Sequence, residues 1–446
     1  MQILNNFFAH AVDLLWGLPM VVLLIGGGIY FTLRIGFLPF RGMSHALQIL
    51  RGKYDNPNDP GEISHFRALT SALSATIGMG NISGVAIAVS VGGPGAVFWL
   101  WIAGLVGMST KFFTCTLATM FRKEDERGIS QGGPMYFIEV GLGYRFKSLA
   151  IMFALCGTVG CLAIFQVNQL AGLLQNNWGI GRGLTGLVCM LFVAIVIRGG
   201  IVRVGQVTSK IVPSMFILYM VCALYILSSN ISQVLPAFKS IFTSAFGGMA
   251  LVGGGTGVVF RDVLITGVRR AVFSNEAGIG TAPMAHGAAK TKEPVREGLV
   301  AMLGPFLDTN LICTITALII LITGVPAAED GVVMTVSAFE KAMPGVGSPV
   351  LTLIIVLFSM SSMISYSYYS LKCARYLLGY NVGSKYIYVY IISLLFAAYW
   401  TQDLVLNILD TAFALMAIPT VTATLLLSRK VVGATREYYK RMRRSD

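Results

Sequence analysis

Two short strings place polar groups inside the apolar runs of this 446-residue chain. The first is Ser74-Ala75-Thr76-Ile77-Gly78-Met79-Gly80-Asn81-Ile82-Ser83-Gly84, within the apolar segment Ser71–Ser90. The second is Phe273-Ser274-Asn275-Glu276-Ala277-Gly278-Ile279-Gly280-Thr281, within Val263–Ala289. Each has a Gly-x-Gly triplet near its middle. Glycine inside a helix costs about 1 kcal/mol relative to alanine, so a doubled glycine is a place for a helix to unwind. Unwound backbone at membrane depth persists only where it is buried in protein or lines a cavity. Interrupted spans at matching places in two halves of a chain point to a transporter's binding site. Close helix packing through small residues is the other reading.

Unwinding the first string exposes carbonyls at the end of one half-helix and amides at the start of the next. Carbonyls and an asparagine oxygen suit a hard cation such as Na⁺, and amides at a helix N-terminus hold a carboxylate. Asn81 equally suits a hydrogen bond between helices. The second string offers a hydroxyl, an amide and a carboxylate in Ser274, Asn275 and Glu276. Asp308, followed by Thr309 and Asn310, stands well inside another apolar run. An intramembrane carboxylate is expensive and should face a pathway or be paired; a bound cation, Arg269 or Arg270 would serve as partner. Gln166 and Asn168 are further polar residues within spans. Ser359, Ser361, Ser362, Ser365 and Tyr366 form a cluster, although single serines often bond back onto their own helix.

The elements that position these residues follow from composition. The chain is 55% hydrophobic and 12% charged, with a mean hydropathy of +0.74, which identifies a polytopic all-α membrane protein. Eleven spans of the required length centre near Leu24, Gly80, Leu105, Gly160, Leu191, Leu218, Phe273, Ile312, Val356, Leu394 and Leu415. No cleavable signal peptide is expected, since a basic start and a small-residue cleavage site are both missing. The net charge of +13 is one-sided. Alternate loops collect Arg34 to Arg67, Arg122 to Lys147, Arg198 to Lys210, Lys290 to Arg296, Lys372 to Lys385 and the tail Arg429 to Arg444. The opposite loops hold only Arg182, Lys239, Arg261 and Lys341. This is the positive-inside pattern; it places the N-terminus outside and the C-terminus in the cytoplasm, and it speaks against a nucleic-acid partner.

One membrane transport domain over 1–446 is expected. A leading span (14–33) precedes a five-helix repeat (66–228) and a second five-helix repeat (262–427), and a basic cytoplasmic tail (428–446) follows. An odd number of spans per repeat inverts the second relative to the first. Between them lies a glycine-rich stretch, Phe246–Gly257. Gly331–Met343 is amphipathic and too short to span, and is predicted to be an outer helix over the pathway. The seven cysteines lie in or beside spans without metal spacing and read as packing residues. The four histidines form no His-Glu-x-x-His set, and Gly253–Gly257 lacks the Lys-Ser/Thr of a phosphate loop. An enzyme is not expected.

Gly-Met-Gly-Asn-Ile-Ser-Gly-Val-Ala (78–86), Gly-Gly-Pro-Gly-Ala-Val-Phe-Trp (92–99), Gly-Gly-Pro (132–134) and Phe-Ser-Asn-Glu-Ala-Gly-Ile-Gly-Thr-Ala-Pro (273–283) strongly resemble the alanine or glycine:cation symporter family. The resemblance covers nearly the whole chain. It implies the fold of the bacterial leucine transporter, ten core helices in two inverted fives, with one extra leading span. It further implies Na⁺-coupled import of alanine and/or glycine across a bacterial-type cytoplasmic (inner) membrane. By that similarity the Gly78, Met79 and Gly80 backbone receives the substrate carboxylate. The Thr76 carbonyl, Asn81 and Ser274, with Asp308 or Thr309, form one sodium site. The Ser74 and Ile77 carbonyls, with Ser361 and Ser362, form a second. Gln166, Phe273, Ile279, Ser362 and Tyr366 line the substrate pocket. Two residues depart from the family pattern: Met79 stands where Thr or Ser is usual, and Tyr366 where Trp is common. Proton coupling through Asp308 or Glu276, and a non-concentrating amino-acid sensor or channel, are the competing readings. The number of coupled ions and the oligomeric state are not encoded in these motifs.

Overall fold

A computed structural model describes residues 1–125, 127–246, 260–326 and 331–445. Most of the expected glycine-rich stretch, residues 247–257, lies outside the described residues. Among those described, helices dominate, and the one sheet is a two-residue ladder of Lys123–Glu124 against Ser130–Gln131. Six helical segments are long and apolar enough to cross a membrane: Gly95–Met120, Tyr144–Trp178, Gly200–Ser229, Pro294–Thr323, Gly347–Ala397 and Gln402–Arg443. Two bent pairs join them when each is taken as one span, for a total of up to 8.

That total differs from the expected eleven for local reasons. Arg182–Ile197 is apolar but has only 16 residues. The helix Phe260–Asn275 stops at the second break. The 51-residue helix Gly347–Ala397 contains Gly379 at φ 73°, ψ 170°, where the chain kinks and one helix becomes two.

The leading region, expected as a span over 14–33, is a bent pair of helices. Gln2–Leu15 and Leu18–Arg34 meet at 59°. Gly17 is extended and Pro19 sits in the first turn that follows, where a missing N–H costs nothing. The second helix packs on Gly95–Met120, with Gly28 against Val106 at a spacing that leaves no room for a Cβ. The Trp16 indole, buried at the bend, donates to the Asp410 carbonyl at 2.9 Å. Elsewhere the helix ends follow ordinary chemistry. Ser64 accepts from Arg67 N at the start of His65–Thr76, and prolines open Pro134–Leu142 and Pro294–Ala301. Gly179, left-handed at φ 67°, closes Ile164–Trp178 with bonds back to Gln175 and Leu174, the helix-ending turn that glycine favours.

Residues 428–445, expected as a tail, continue the helix from Gln402 through Ser445. The Tyr438 hydroxyl lies 2.7 Å from His45 Nε2, tying this extension to the short helix Met43–Leu50.

Both glycine triplets break their helices. His65–Thr76 and Gly80–Gly92 meet at 51°, and Phe260–Asn275 is separated from Ala282–His286 by six residues without helix. The Gly80 and Ser274 backbones touch where the two broken helices cross, the space for a Gly80 Cβ ending 3.1 Å from Ser274 Cα. Three helical stretches widen to π geometry: Val22–Gly26, Gly80–Gly84 and Phe306–Cys313. Such turns are rare and concentrate at functional sites; the second and third meet at the crossing.

Candidate functional site

In the first break, Ile77 leaves helical geometry at ψ 92°. The freed Gly78 amide donates to Asn81 Oδ1 at 2.9 Å, and the Asn81 amide returns to the Gly78 carbonyl at 3.1 Å. The Asn81 side-chain nitrogen reaches the Asp308 carboxylate at 2.7 Å, with Ser274 Oγ at 3.2 Å. The π turn of Phe306–Cys313 holds Asp308 and Thr309 toward this point, both fully buried. Asp308 also accepts from Ser274 Oγ at 2.8 Å and from Thr309 Oγ1 at 2.7 Å. Asn275 in turn donates to Thr309 Oγ1 at 3.0 Å.

The donors to this carboxylate, Asn81, Ser274 and Thr309, are therefore all neutral among the described residues. Neither Arg269 nor Arg270 is its partner: both pair with Asp410, with Arg269 Nε 2.7 Å from the carboxylate. Asn81, Ser274, Asp308 and Thr309 thus stand together. The Thr76 hydroxyl turns back onto Ala72 and Leu73.

The second group forms between the first broken helix and Gly347–Ala397. Ser74 Oγ donates to the Ser361 carbonyl at 2.7 Å, and Ser362 Oγ donates to the Ser74 carbonyl at 2.9 Å. Ser361 Oγ bonds back to Phe358 at 3.0 Å, as single serines do. Ser362 also presses on Gly78, leaving only 2.5 Å to a built Cβ. Ile77, one residue before that contact, is buried beside the group.

The residues read as a substrate pocket are all buried: Met79, Gln166, Phe273, Ile279 and Tyr366. Gln166 Oε1 lies in this apolar setting without a hydrogen-bond partner, a costly state that a ligand donor relieves. Phe273 stacks edge-on with Phe165, ring centroids 5.1 Å apart. The Ile279 carbonyl is occupied by Thr420 Oγ1 at 3.0 Å. Tyr366 donates its hydroxyl to Glu276, which also accepts from Thr281. Asn168, by contrast, faces the turn between Gly347–Ala397 and the C-terminal helix and donates to the Ala397 and Trp400 carbonyls.

The two faces of the crossing are closed differently. Past the N-terminus of the first broken helix, Ile63 bridges to Ala289, and Lys290 N donates to the Ile63 carbonyl at 2.7 Å. Arg122 reinforces this clasp by donating to the Ala289 carbonyl at 3.0 Å. Beneath it, His65 and His286 share the Glu297 carboxylate through their Nδ1 atoms. Glu62 borders a cavity of about 350 Å³ on this face with Arg127, Arg198, Lys372 and Arg375. Burial raises its carboxyl above the ordinary range, and Lys372 opposes that rise. On the opposite face the amphipathic stretch is a helix, Gly331–Ala342. Thr335 Oγ1 donates to the Ile82 carbonyl at 3.1 Å, and Gly331 lies against Ser83.

Sequence reasoning missed two of these arrangements. Asp410 had a readable signal, a carboxylate within an apolar run. The His65–Glu297–His286 group had none, because its members lie up to 232 positions apart.

The model of the family described as "Sodium:alanine symporter family" matches residues 1–446. The sodium/alanine symporter AgcS of Methanococcus maripaludis is 42% identical over 95% of this chain and 94% of its own. MhsT in complex with L-phenylalanine superposes with a TM-score of 0.58 at 12% identity, covering 81% of this chain and 89% of that one. A manganese transporter of Eremococcus coleocola gives a TM-score of 0.57 at 14% identity, over 82% and 78% of the two chains. At such identities the last two establish the fold, that of the leucine-transporter group, and nothing finer.

Proposed function

The chain belongs to the sodium:alanine symporter family, and so is a transporter and not an enzyme; from that premise we propose that it imports alanine and/or glycine with Na⁺ by alternating access. The observation that supports this most is Asp308. It is a fully buried carboxylate where both broken helices meet, and its hydrogen-bond donors are neutral. A carboxylate in that setting calls for a cation. Among the described residues the buried Lys111 acts on it only through space, without a hydrogen bond, and is shared with Glu276, which leaves a place for the transported ion.

Asn81 supplies the coupling. Its Oδ1 is held by the Gly78 amide, one of the amides assigned to the substrate carboxylate along with Met79 and Gly80. An arriving carboxylate takes over that N–H and releases the oxygen. A half-turn of the side-chain amide then directs Oδ1 toward Ser274, Asp308 and Thr309, where with the Thr76 carbonyl it completes a sodium cage. Each ligand removes an internal bond that hinders the other, and such coupling is reciprocal. The second sodium takes the Ser74 and Ile77 carbonyls with Ser361 and Ser362, displacing the Ser362–Ser74 bond. Gln166, Phe273, Ile279, Ser362 and Tyr366 enclose the substrate's amino group and small side chain.

We place eleven spans in a bacterial-type inner membrane, with the N-terminus outside. The Ile63–Ala289 clasp and the Glu62 cavity then face the cytoplasm, and Gly331–Ala342 faces outward. Transport opens these closures in turn.

The test is uptake of radiolabelled glycine and of L- and D-alanine into proteoliposomes. We expect accumulation above equilibrium that needs external Na⁺ and survives collapse of the proton gradient. Loss on that collapse would establish proton coupling, and equilibration without accumulation a channel. In the same assay Asn81→Ala should raise the Na⁺ concentration for half-maximal uptake by about tenfold, equivalent to about 1.4 kcal/mol. An unchanged sodium dependence in well-expressed protein would remove Asn81 from the site.

A further inference from the structure

A basic surface lies away from the transport site, where the leading helix ends against the C-terminal helix. A cavity of about 790 Å³ opens there, within the size range of about 300–1,000 Å³ typical of small-ligand sites. Its floor is apolar, from Leu38 and Val432, and its wall carries Arg34, Arg41, Arg436, Lys440 and Arg443. No Asp or Glu lines it. None of the five cations makes a side-chain hydrogen bond or ion pair among the described residues. The Tyr439 hydroxyl at the same wall is buried without a partner. Five like charges around one concavity repel one another, so the arrangement is stabilised by an anion.

The surroundings say which kind of anion. The chain leaves the leading helix through a left-handed turn at Gly36 (φ 64°) and Phe37 (φ 57°). That conformation is costly for a bulky residue, and it leaves the Phe37 ring exposed beside exposed Leu33 and Phe40. An apolar rim beside a basic cavity, at the end of a membrane helix, matches a phospholipid with its headgroup in the cavity and its acyl chains along the rim. Basic pockets between membrane helices bind anionic headgroups in this way. We propose that this cavity is a binding site for an anionic glycerophospholipid, its phosphate held by Arg41, Arg436 and Lys440. The proposal depends on the orientation given above only for the leaflet, which is then the cytoplasmic one. It is independent of the transported substrate.

The experiment is native mass spectrometry of the purified full-length protein. Phosphatidylglycerol and phosphatidylcholine with identical acyl chains are offered in equal amounts. The parent protein should retain phosphatidylglycerol preferentially, and Arg41→Gln/Arg436→Gln/Lys440→Gln should lower that preference about tenfold. Arg203→Gln/Arg261→Gln, basic residues elsewhere, should leave it unchanged. If the triple variant does not survive purification, Arg436→Gln alone is read in the same way, with an expected loss of about threefold. Equal preference in parent and variant would overturn the proposal. Binding of inorganic phosphate that competes equally with the lipid would also overturn it, by showing a general anion site. Sodium-driven uptake measured on the same variants separates a failure here from a failure of the transport assignment.

Discussion

The two glycine triplets are alike as sequence and unlike as structure. In the first break neither Gly78 nor Gly80 has a positive φ. Glycine is needed there because neighbours come close: Ser362 Oγ stands 2.5 Å from a built Cβ at Gly78, and Ser274 Cα 3.1 Å from one at Gly80. In the second break Gly278 and Gly280 have φ of 90° and 103°, and even Glu276 is left-handed at 57°. Glycine is needed there for the backbone path itself. The first break is a helix bent around a contact, with its amide and carbonyl held by Asn81. The second is a fully unwound strap, anchored by Glu276 to Tyr366 and Thr281. The same motif thus serves close approach alone in the first break, and close approach together with a left-handed backbone path in the second. The first break is held by the single side chain of Asn81, whereas the second is tied down through Glu276 by two hydroxyls.

Substitutions that a sequence comparison would treat as equivalent should therefore differ. The largest effect is expected at Gly280→Ala. It combines a φ that L side chains rarely adopt with contacts of 2.6–2.8 Å to Pro134, Thr420 and Phe153. Strain and overpacking together should cost about 3 kcal/mol or more, seen as a large drop in melting temperature or loss of folded protein. A melting temperature within a degree or two of the parent would show that the strap can move aside.

Gly78→Ala should be milder and repairable. Its clash is with one hydroxyl, so Ser362→Ala in the same chain should recover much of the lost stability. The interaction energy should be about 1 kcal/mol in a double-mutant cycle. Additive effects would mean that the first break also needs glycine for its backbone.

The smallest effect is expected at Met79→Thr, between the two glycines. The Met79 side chain is fully buried, and a change of this size in an apolar pocket is worth about 1–3 kcal/mol of discrimination. Competition by alanine or serine should strengthen relative to glycine if Met79 borders the substrate. Identical competition profiles would place it in helix packing.

Much of the candidate site was legible because it obeys local rules. The breaks follow from paired glycines, Asp308 from the cost of an intramembrane carboxylate, and the cover helix from the apolar spacing of Gly331–Met343. What stayed hidden depends on tertiary contact. Arg269 and Arg270 were available partners for Asp308 by composition alone, and only the packing of the C-terminal helix assigns them to Asp410. The histidine pair on Glu297 needs three elements brought together. The bend at Gly17 and the helical continuation past residue 428 were not legible, because hydropathy measures apolar length and not helix direction.

We propose that Asp308 is compensated chiefly by the transported cation, because among the described residues no cationic side chain hydrogen-bonds to it and the buried Lys111 acts on it only through space. The most direct test is the initial rate of alanine uptake against external Na⁺ in proteoliposomes, for the parent and for Asp308→Asn. The mutant removes the charge and keeps the shape, so a folded protein is expected, with a melting temperature near the parent's. We expect its sodium-driven accumulation to be lost. A well-folded Asp308→Asn protein with the parent's sodium curve and accumulation ratio would contradict the claim and make Asp308 a structural residue.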